Sequence, residues 1–176
     1  MVQSTELLLD DDTDRAVRAQ WAQLADAGLP SQQSVASTSN RPHITLTVHD
    51  RIAPDAEAAL RQYVGFDEFP IRLGATVVFG GRRATLARLV IPSRELLELH
   101  RRVNDLVGTD LVGSGGRAHT DPDCWTPHVT LARRVPVEQL GTALSQLMNA
   151  DELVGRATAL RRWDGDDRVE WLVAGS

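Results

Sequence analysis

The sequence of 176 residues contains no lysine, so all 19 of its basic residues are arginines. Arginine's planar fork suits bidentate contacts to phosphate, although a genome rich in arginine codons is the simpler cause. Cysteine is almost as scarce. Cys124 stands alone, which excludes an intramolecular disulfide and makes a reducing cytoplasm the expected compartment. Positive charge is outweighed: 19 Lys+Arg face 24 Asp+Glu, for a net charge of −5. A long nucleic-acid footprint needs a basic face with many phosphate contacts, so none is expected. A nucleotide, or an RNA end gripped by a few arginines, remains compatible. Long apolar runs are missing too. No stretch approaches the roughly 20 residues that cross a bilayer, so no membrane span is expected. The opening "MVQSTELLLDDDTDR" has no basic n-region and soon turns acidic, unlike a secretory signal. Phosphate-cradling glycine loops of the Gly-x-x-x-x-Gly-Lys or Gly-x-Gly-x-x-Gly type are absent, and "GSGGRAH" follows a helix-like stretch rather than a strand. It reads as a rim loop. No His/Cys/Asp spacing suggests a zinc site, so neither a metal nor a cofactor is expected.

What is present fits a globular protein. Hydrophobic residues make up 42% and charged residues 24%, enough for a packed interior in one domain, expected to be a monomer. "QSTELLL" reads as a strand, and "DDTDRAVRAQWAQLADAG" as a helix with an acidic start and Gly28 as its stop. A polar loop leads to the strand-like "PHITLTVHD", then to the helix-like "APDAEAALRQYVG". "FPIRLGATVVFG" and "RRATLARLVIP" read as a hairpin turning near Gly80 and Gly81. The order then recurs. "SRELLELHRRVNDLVG" is a helix between Ser93 and Gly108, followed by a polar loop, the strand-like "PHVTLARRV", the helix-like "PVEQLGTALSQLMNA" and two closing strands. The expected fold class is therefore α+β: a duplicated bilobal fold over residues 1–176, with lobes of about 1–91 and 92–176. Two mostly antiparallel sheets would flank a central cleft, with helices outside.

Within that order two segments are nearly the same: "RPHITLTV" at Arg41–Val48 and "TPHVTLAR" at Thr126–Arg133. Both hold Pro-His-[Ile/Val]-Thr-Leu. By chance a second such pentapeptide is expected well under about once in a hundred chains of this length. On a strand, residues i and i+2 point the same way. His43 with Thr45, and His128 with Thr130, would each project together, while Ile44, Leu46, Val129 and Leu131 anchor the core. Two facing imidazoles can serve as general acid and general base. Two hydroxyls beside them can donate to the non-bridging oxygens of a phosphate. Duplication alone explains the spacing, but not why His and Thr stand opposite the aliphatic face.

These paired motifs resemble the His-x-Thr-x signatures of the two-histidine (2H) phosphoesterase superfamily. "PHVTLAR" is similar to the second motif of its 2′-5′ RNA ligase and RNA 2′,3′-cyclic phosphodiesterase branch. The likeness spans nearly the whole chain in element order, but only the two pentapeptides and Arg133 are motif-specific. The resemblance implies a bilobal fold around a cleft. It implies hydrolysis, without metal or cofactor, of a 2′,3′-cyclic phosphate on a nucleotide or RNA end. It gives His43, Thr45, His128 and Thr130 the catalytic places, with His128 as base and His43 as acid. The first motif continues "TVHD" instead of the small apolar and glycine run common in that branch, which leaves the subfamily and substrate open. Ligation of 2′-5′ RNA ends with the same groups is one alternative, and a non-catalytic nucleotide or RNA-end binding module is another.

Other residues are weaker candidates. Strand parity turns Arg133 away from the cleft unless the strand bulges, although the resemblance favours a substrate-binding role. His119, in the loop before the second motif, and Trp125 and Trp163, which could stack a base, are further substrate-binding candidates. His49 shares the parity of His43 but lies about 20 Å along the strand, which suggests a surface position at its end. His100 lies beside the Leu96–Val103–Val107 stripe of its helix and reads as a packing residue. Cys124 has no neighbouring residues that would make it a nucleophile.

Overall fold

Asp10 ends the first strand and opens the first helix. Its side chain accepts the Thr13 N–H at 2.9 Å, which caps a helix whose first turn carries Asp11, Asp12 and Asp14. Its other oxygen accepts the backbone N–H of Arg156. The sheet approaches so closely there that a Cβ on Gly155 would meet Thr13 Oγ1 at 1.8 Å, so only glycine fits. In the computed structural model, which describes residues 2–107, 120–148 and 151–175, this first helix is α1 (Asp11–Asp26). It buries Val17, Trp21 and Leu24, one face at helical spacing. Gly28 follows in the left-handed conformation at φ +70°.

The other elements are β1 (Gln3–Leu9), β2 (His43–His49), α2 (Pro54–Tyr63), β3 (Phe69–Phe79), β4 (Arg83–Val90), α3 (Arg94–Val107), β5 (His128–Pro136), α4 (Leu140–Leu147), β6 (Leu153–Asp164) and β7 (Val169–Gly175). Ser93 caps α3 through a hydrogen bond from Leu96 N at 3.2 Å. The fold is α+β, and every strand pairing is antiparallel. Strands β2, β1, β6 and β7 form one arm, and β5, β4 and β3 the other. The sequence suggests two sheets. Pairing of β3 with β6 makes the arms continuous, so hydrogen bonding gives one seven-stranded sheet. At the opposite ends of the arms, β2 and β5 meet at Ile44 and Val129. Helix α1 packs on β5 and β6, and α3 on β2 and α2. A continuous apolar cluster lies between, including Leu7, Ile44, Leu46, Val129, Leu131 and Leu160.

Both motif strands bulge at the same place. In the β1–β2 ladder Thr5 faces Thr47 but Glu6 faces Thr45, so Leu46 is an extra residue. In the β4–β5 ladder Leu86 faces Ala132 but Ala87 faces Thr130, so Leu131 is extra. A bulge reverses the alternation beyond it. This corrects the reading of His49, and strict alternation would misplace Thr47 in the same way. Thr47 and His49 turn inward, at 1% and 4% exposure, and Val48 takes the cleft side instead. His49 is thus a buried residue, not a surface one.

Candidate active site

Each motif histidine opens its strand directly after a proline, Pro42 or Pro127. Proline biases the preceding residue toward extended backbone, and in both motifs the carbonyl two residues before the histidine meets its ring. His43 Nδ1 lies 2.7 Å from Arg41 O, and His128 Nδ1 lies 2.7 Å from Thr126 O. A carbonyl can only accept, so Nδ1 carries the hydrogen in both rings. That assigns Nε2 as the exchangeable acid or base atom in each. His43, Thr45, His128 and Thr130 all line one cleft of about 660 Å³, a volume ordinary for small-ligand sites. Ile44 and Val129, the residues between each His and Thr, are the pair joining β2 to β5. The two motifs therefore meet at one seam.

Tryptophans cross-brace that seam. Trp21 Nε1 donates to Thr130 O at 3.0 Å, and Trp125 Nε1 donates to Thr45 O at 3.1 Å. A bulge takes ladder groups out of register, and here an indole meets the carbonyl beside each one. Trp125 also stacks flat on His100, with ring centroids 3.7 Å apart and planes 2° apart. His100 Nε2 lies 3.0 Å from Thr120 O. Burial pushes the His100 ring down to about 4, against the pull of the Thr120 and Leu46 carbonyls and of Asp121. His100 is therefore a neutral packing residue at physiological pH, as its helix position suggests.

The surroundings of the two histidines differ. His128 lies against the Phe79 ring, with centroids 4.7 Å apart. His43 Nε2 lies 3.6 Å from the Glu6 carboxylate. Burial raises the Glu6 carboxyl, but His43, Arg161 and Ser4 together hold it below its usual value. Among the described residues, no group of three or more His, Cys, Asp or Glu side chains is placed to hold a metal ion.

The family model of the 2′-5′ RNA ligase superfamily matches residues 13–168. The chain belongs to that superfamily. It is a 2H phosphoesterase, as its motifs suggest. Solved structures share the fold of this phosphoesterase at low identity. TT0787 of Thermus thermophilus is 17% identical with a TM-score of 0.63, over 99% of this chain and 96% of that one. Usb1 of Kluyveromyces marxianus is 12% identical with a TM-score of 0.59, over 98% and 97%. E. coli LigT complexed with NADP+ is 15% identical with a TM-score of 0.55, over 97% and 92%. The comparison with curated proteins gives no match.

The weaker candidates of the phosphoesterase divide. Arg133 lines the cleft, because β5 bulges at Leu131 and is irregular again near Arg134, whose φ is +59°. Simple alternation turns it away, and the bulges return it. Trp125 and Trp163 also line the cleft. Cys124 is exposed. His119 lies outside the described residues. Sequence reasoning passed over Glu6, Arg161 and Phe79. Glu6 interrupts an apolar strand, "QSTELLL", and Arg161 an apolar "TALRRW". A charge inside a buried strand calls for a partner, and that was the available signal. Phe79 gave none.

Proposed function

We propose that this phosphoesterase hydrolyses a 2′,3′-cyclic phosphate, or a related cyclic phosphodiester, on a nucleotide or RNA end, without a metal ion. The matched histidines carry this reading: two rings fixed through Nδ1 leave two Nε2 atoms in one cleft. Neutral His128 Nε2 takes a proton from water, and the oxygen of that water bonds to phosphorus. The bond from phosphorus to one ribose oxygen breaks, and the Nε2–H of protonated His43 supplies that oxygen's proton. The two ring protonations are then exchanged, and solvent restores them. Thr45 and Thr130 hydroxyls donate to the non-bridging oxygens as charge builds there. Arg133 adds positive charge beside the phosphate. Trp125 offers an indole edge to the nucleoside.

E. coli LigT, which shares this fold, has been solved in complexes with 3′-AMP, ATP, NADP+ and phosphate, which supports a nucleotide or phosphate ligand here. Intact His and Thr at all four positions favour catalysis over mere binding, because binding needs no proton-shuttling pair. The family's name supports a second reading, 2′-5′ ligation, in which a ribose hydroxyl on a second RNA end replaces water. We further propose a single domain of two pseudo-symmetric halves, acting as a cytoplasmic monomer. No helix among the described residues is long and apolar enough to cross a membrane.

A panel of 2′,3′-cyclic nucleotides, ADP-ribose cyclic phosphate and 2′-5′-linked oligonucleotides tests this reading. Turnover of at least one cyclic phosphate, unchanged by excess EDTA, is expected. Activity that chelation abolishes and Mg²⁺, Mn²⁺ or Zn²⁺ restores would overturn the mechanism.

A further inference from the structure

Past each bulge the two arms present equivalent rows to the cleft. Five positions after the motif histidines stand Val48 and Arg133. Val48 pairs with Ser4, and Ser4 with Trp163. In the other arm Thr85 lies between the residues that pair with Ala132 and Val135, so it faces the irregular stretch at Arg133, and it pairs with Phe79. All six residues line the cleft. Each row holds a hydroxyl beside an aromatic ring. The rows differ at one end, valine in the first and arginine in the second.

That difference sorts what each row can bind. In the first row Trp163 is half-buried, and among the described residues its N–H has no acceptor and its ring no aromatic or cationic neighbour. The other cleft tryptophans are engaged: Trp21 donates to Thr130 O, while Trp125 donates to Thr45 O and stacks on His100. Gly165 makes room for the Trp163 ring, which a Cβ there would meet at 2.6 Å. An unused indole in a row with Val48 suits a nucleobase. In the second row Arg133 is exposed, and among the described residues its guanidinium has no ion pair. The other cleft arginines are paired: Arg161 grips Glu6 and Glu170, and Arg41 lies 3.6 Å from Asp14. The Phe79 ring packs on His128, so this row offers a positive charge and the Thr85 hydroxyl, which is chemistry for a phosphate. Glu6 faces Thr45 in the first arm, but Ala87 holds the matching place facing Thr130 in the second. An added anion therefore meets no carboxylate at that place on the β5 side.

Arg133 also stands beyond the reacting phosphate. With Leu131 extra, it lies two strand steps past Thr130, roughly 7 Å along β5. A ribose 2′,3′-cyclic phosphate matches this layout. Its base leaves from C1′ and its 5′ arm from C4′, on either side of the C2′–C3′ edge that carries the reacting phosphorus. We propose that Arg133 and Thr85 form a second phosphate site, and that the preferred substrate carries a further phosphate on its 5′ arm while its base rests on Trp163. This rests on the phosphodiesterase reading above. The phosphate can be a free 5′-phosphate or the phosphodiester to the preceding residue of an RNA strand.

Three substrates test this: adenosine 2′,3′-cyclic phosphate, the same compound with a 5′-phosphate, and the dinucleotide in which a phosphodiester to a second adenosine replaces that 5′-phosphate. In wild type a second phosphate should raise kcat/KM roughly 10–100-fold. A gain with both forms supports the site and shows that a free nucleotide suffices. A gain with the dinucleotide alone supports it and assigns an RNA end. In Arg133→Gln the ratio between substrates with and without the second phosphate should fall close to one, whatever happens to the plain substrate, and Thr85→Val should lower it in part. Arg134→Gln removes a neighbouring charge that does not line the cleft and should keep the ratio. A wild-type ratio near one overturns the proposal. So does a ratio that survives Arg133→Gln, or one that Arg134→Gln lowers equally, which would mean a general field. Wild type that opens no cyclic phosphate sinks the phosphodiesterase reading instead. Calorimetry then decides the second site: adenosine 3′,5′-bisphosphate should bind more tightly than 3′-AMP to wild type but not to Arg133→Gln, and equal binding to wild type overturns it.

Discussion

His43 and Thr45 share a strand face and a cleft, yet their removal should cost very different amounts. A histidine carries the proton in flight, a contribution commonly worth about 10²–10⁴-fold. A threonine adds one hydrogen bond to a charged oxygen, about 1.5–3 kcal/mol, or roughly 10–100-fold. We therefore expect His43→Ala and His128→Ala to lose at least about 10²-fold in kcat/KM, and Thr45→Ala and Thr130→Ala to lose less. Steady-state kinetics on one cyclic nucleotide check the order. Threonine variants as poor as the histidine variants would mean that the hydroxyls do more than bind oxygen. At this scale the sequence was informative, because a repeated pentapeptide needs only strand periodicity to put His and Thr together. The pairing of Glu6 was not legible: its charge within a strand calls for a partner, but Arg161 is 155 positions away and no local pattern links them.

At the scale of elements the decisive feature is the bulge after each Thr. It explains why Arg133 lines the cleft and why His49 is buried, two positions that strict alternation misassigns. The bulge was not legible because it depends on the partner strand, on Glu6 skipping past Leu46 to meet Thr45. Each bulge is fastened by an indole, and this can be tested. Trp21→Phe and Trp125→Phe keep an aromatic ring but leave a carbonyl unpaired, at a cost of about 1–2 kcal/mol. Urea unfolding should show that loss in each variant, and kcat should fall as well, because the freed carbonyl belongs to a motif threonine. Variants that are destabilised with kcat intact would show that the indoles hold the fold but not the geometry of the site. Helix boundaries were easier to read, because Asp10, Ser93 and Gly28 mark them with local chemistry.

At the scale of the whole molecule, His100 makes stability depend on pH. Its ring is held at about 4, below the ordinary 6.5, so it is neutral when folded and takes a proton when unfolded. The unfolded state then binds more protons as pH falls through 6.5, and stability drops progressively until about pH 4. The full effect is on the order of 2–3 kcal/mol. Glu6 acts lower: a carboxyl held below 4.5 stabilises above that pH and stops doing so as pH falls further. Thermal melts at about pH 7 and about pH 5 should therefore show a smaller drop in His100→Asn than in wild type, although that variant starts less stable. An equal drop would mean that another group governs this window. The order of strands and helices and the α+β class were legible from periodicity and punctuation. The joining of both arms into one sheet through β3 and β6 was not, because antiparallel pairing between distant strands leaves no mark in local sequence.

The central claim is that two histidines act on one phosphorus in one cleft. It is tested most directly by kcat/KM for a 2′,3′-cyclic nucleotide, in excess EDTA, for wild type, His43→Ala, His128→Ala and the double variant. Groups that serve one transition state are not additive. The double variant should be scarcely worse than the poorer single variant, and the wild-type profile against pH should be bell-shaped, with both limbs in the histidine range. Losses that multiply in the double variant would show that the two motifs act independently, and would contradict the account.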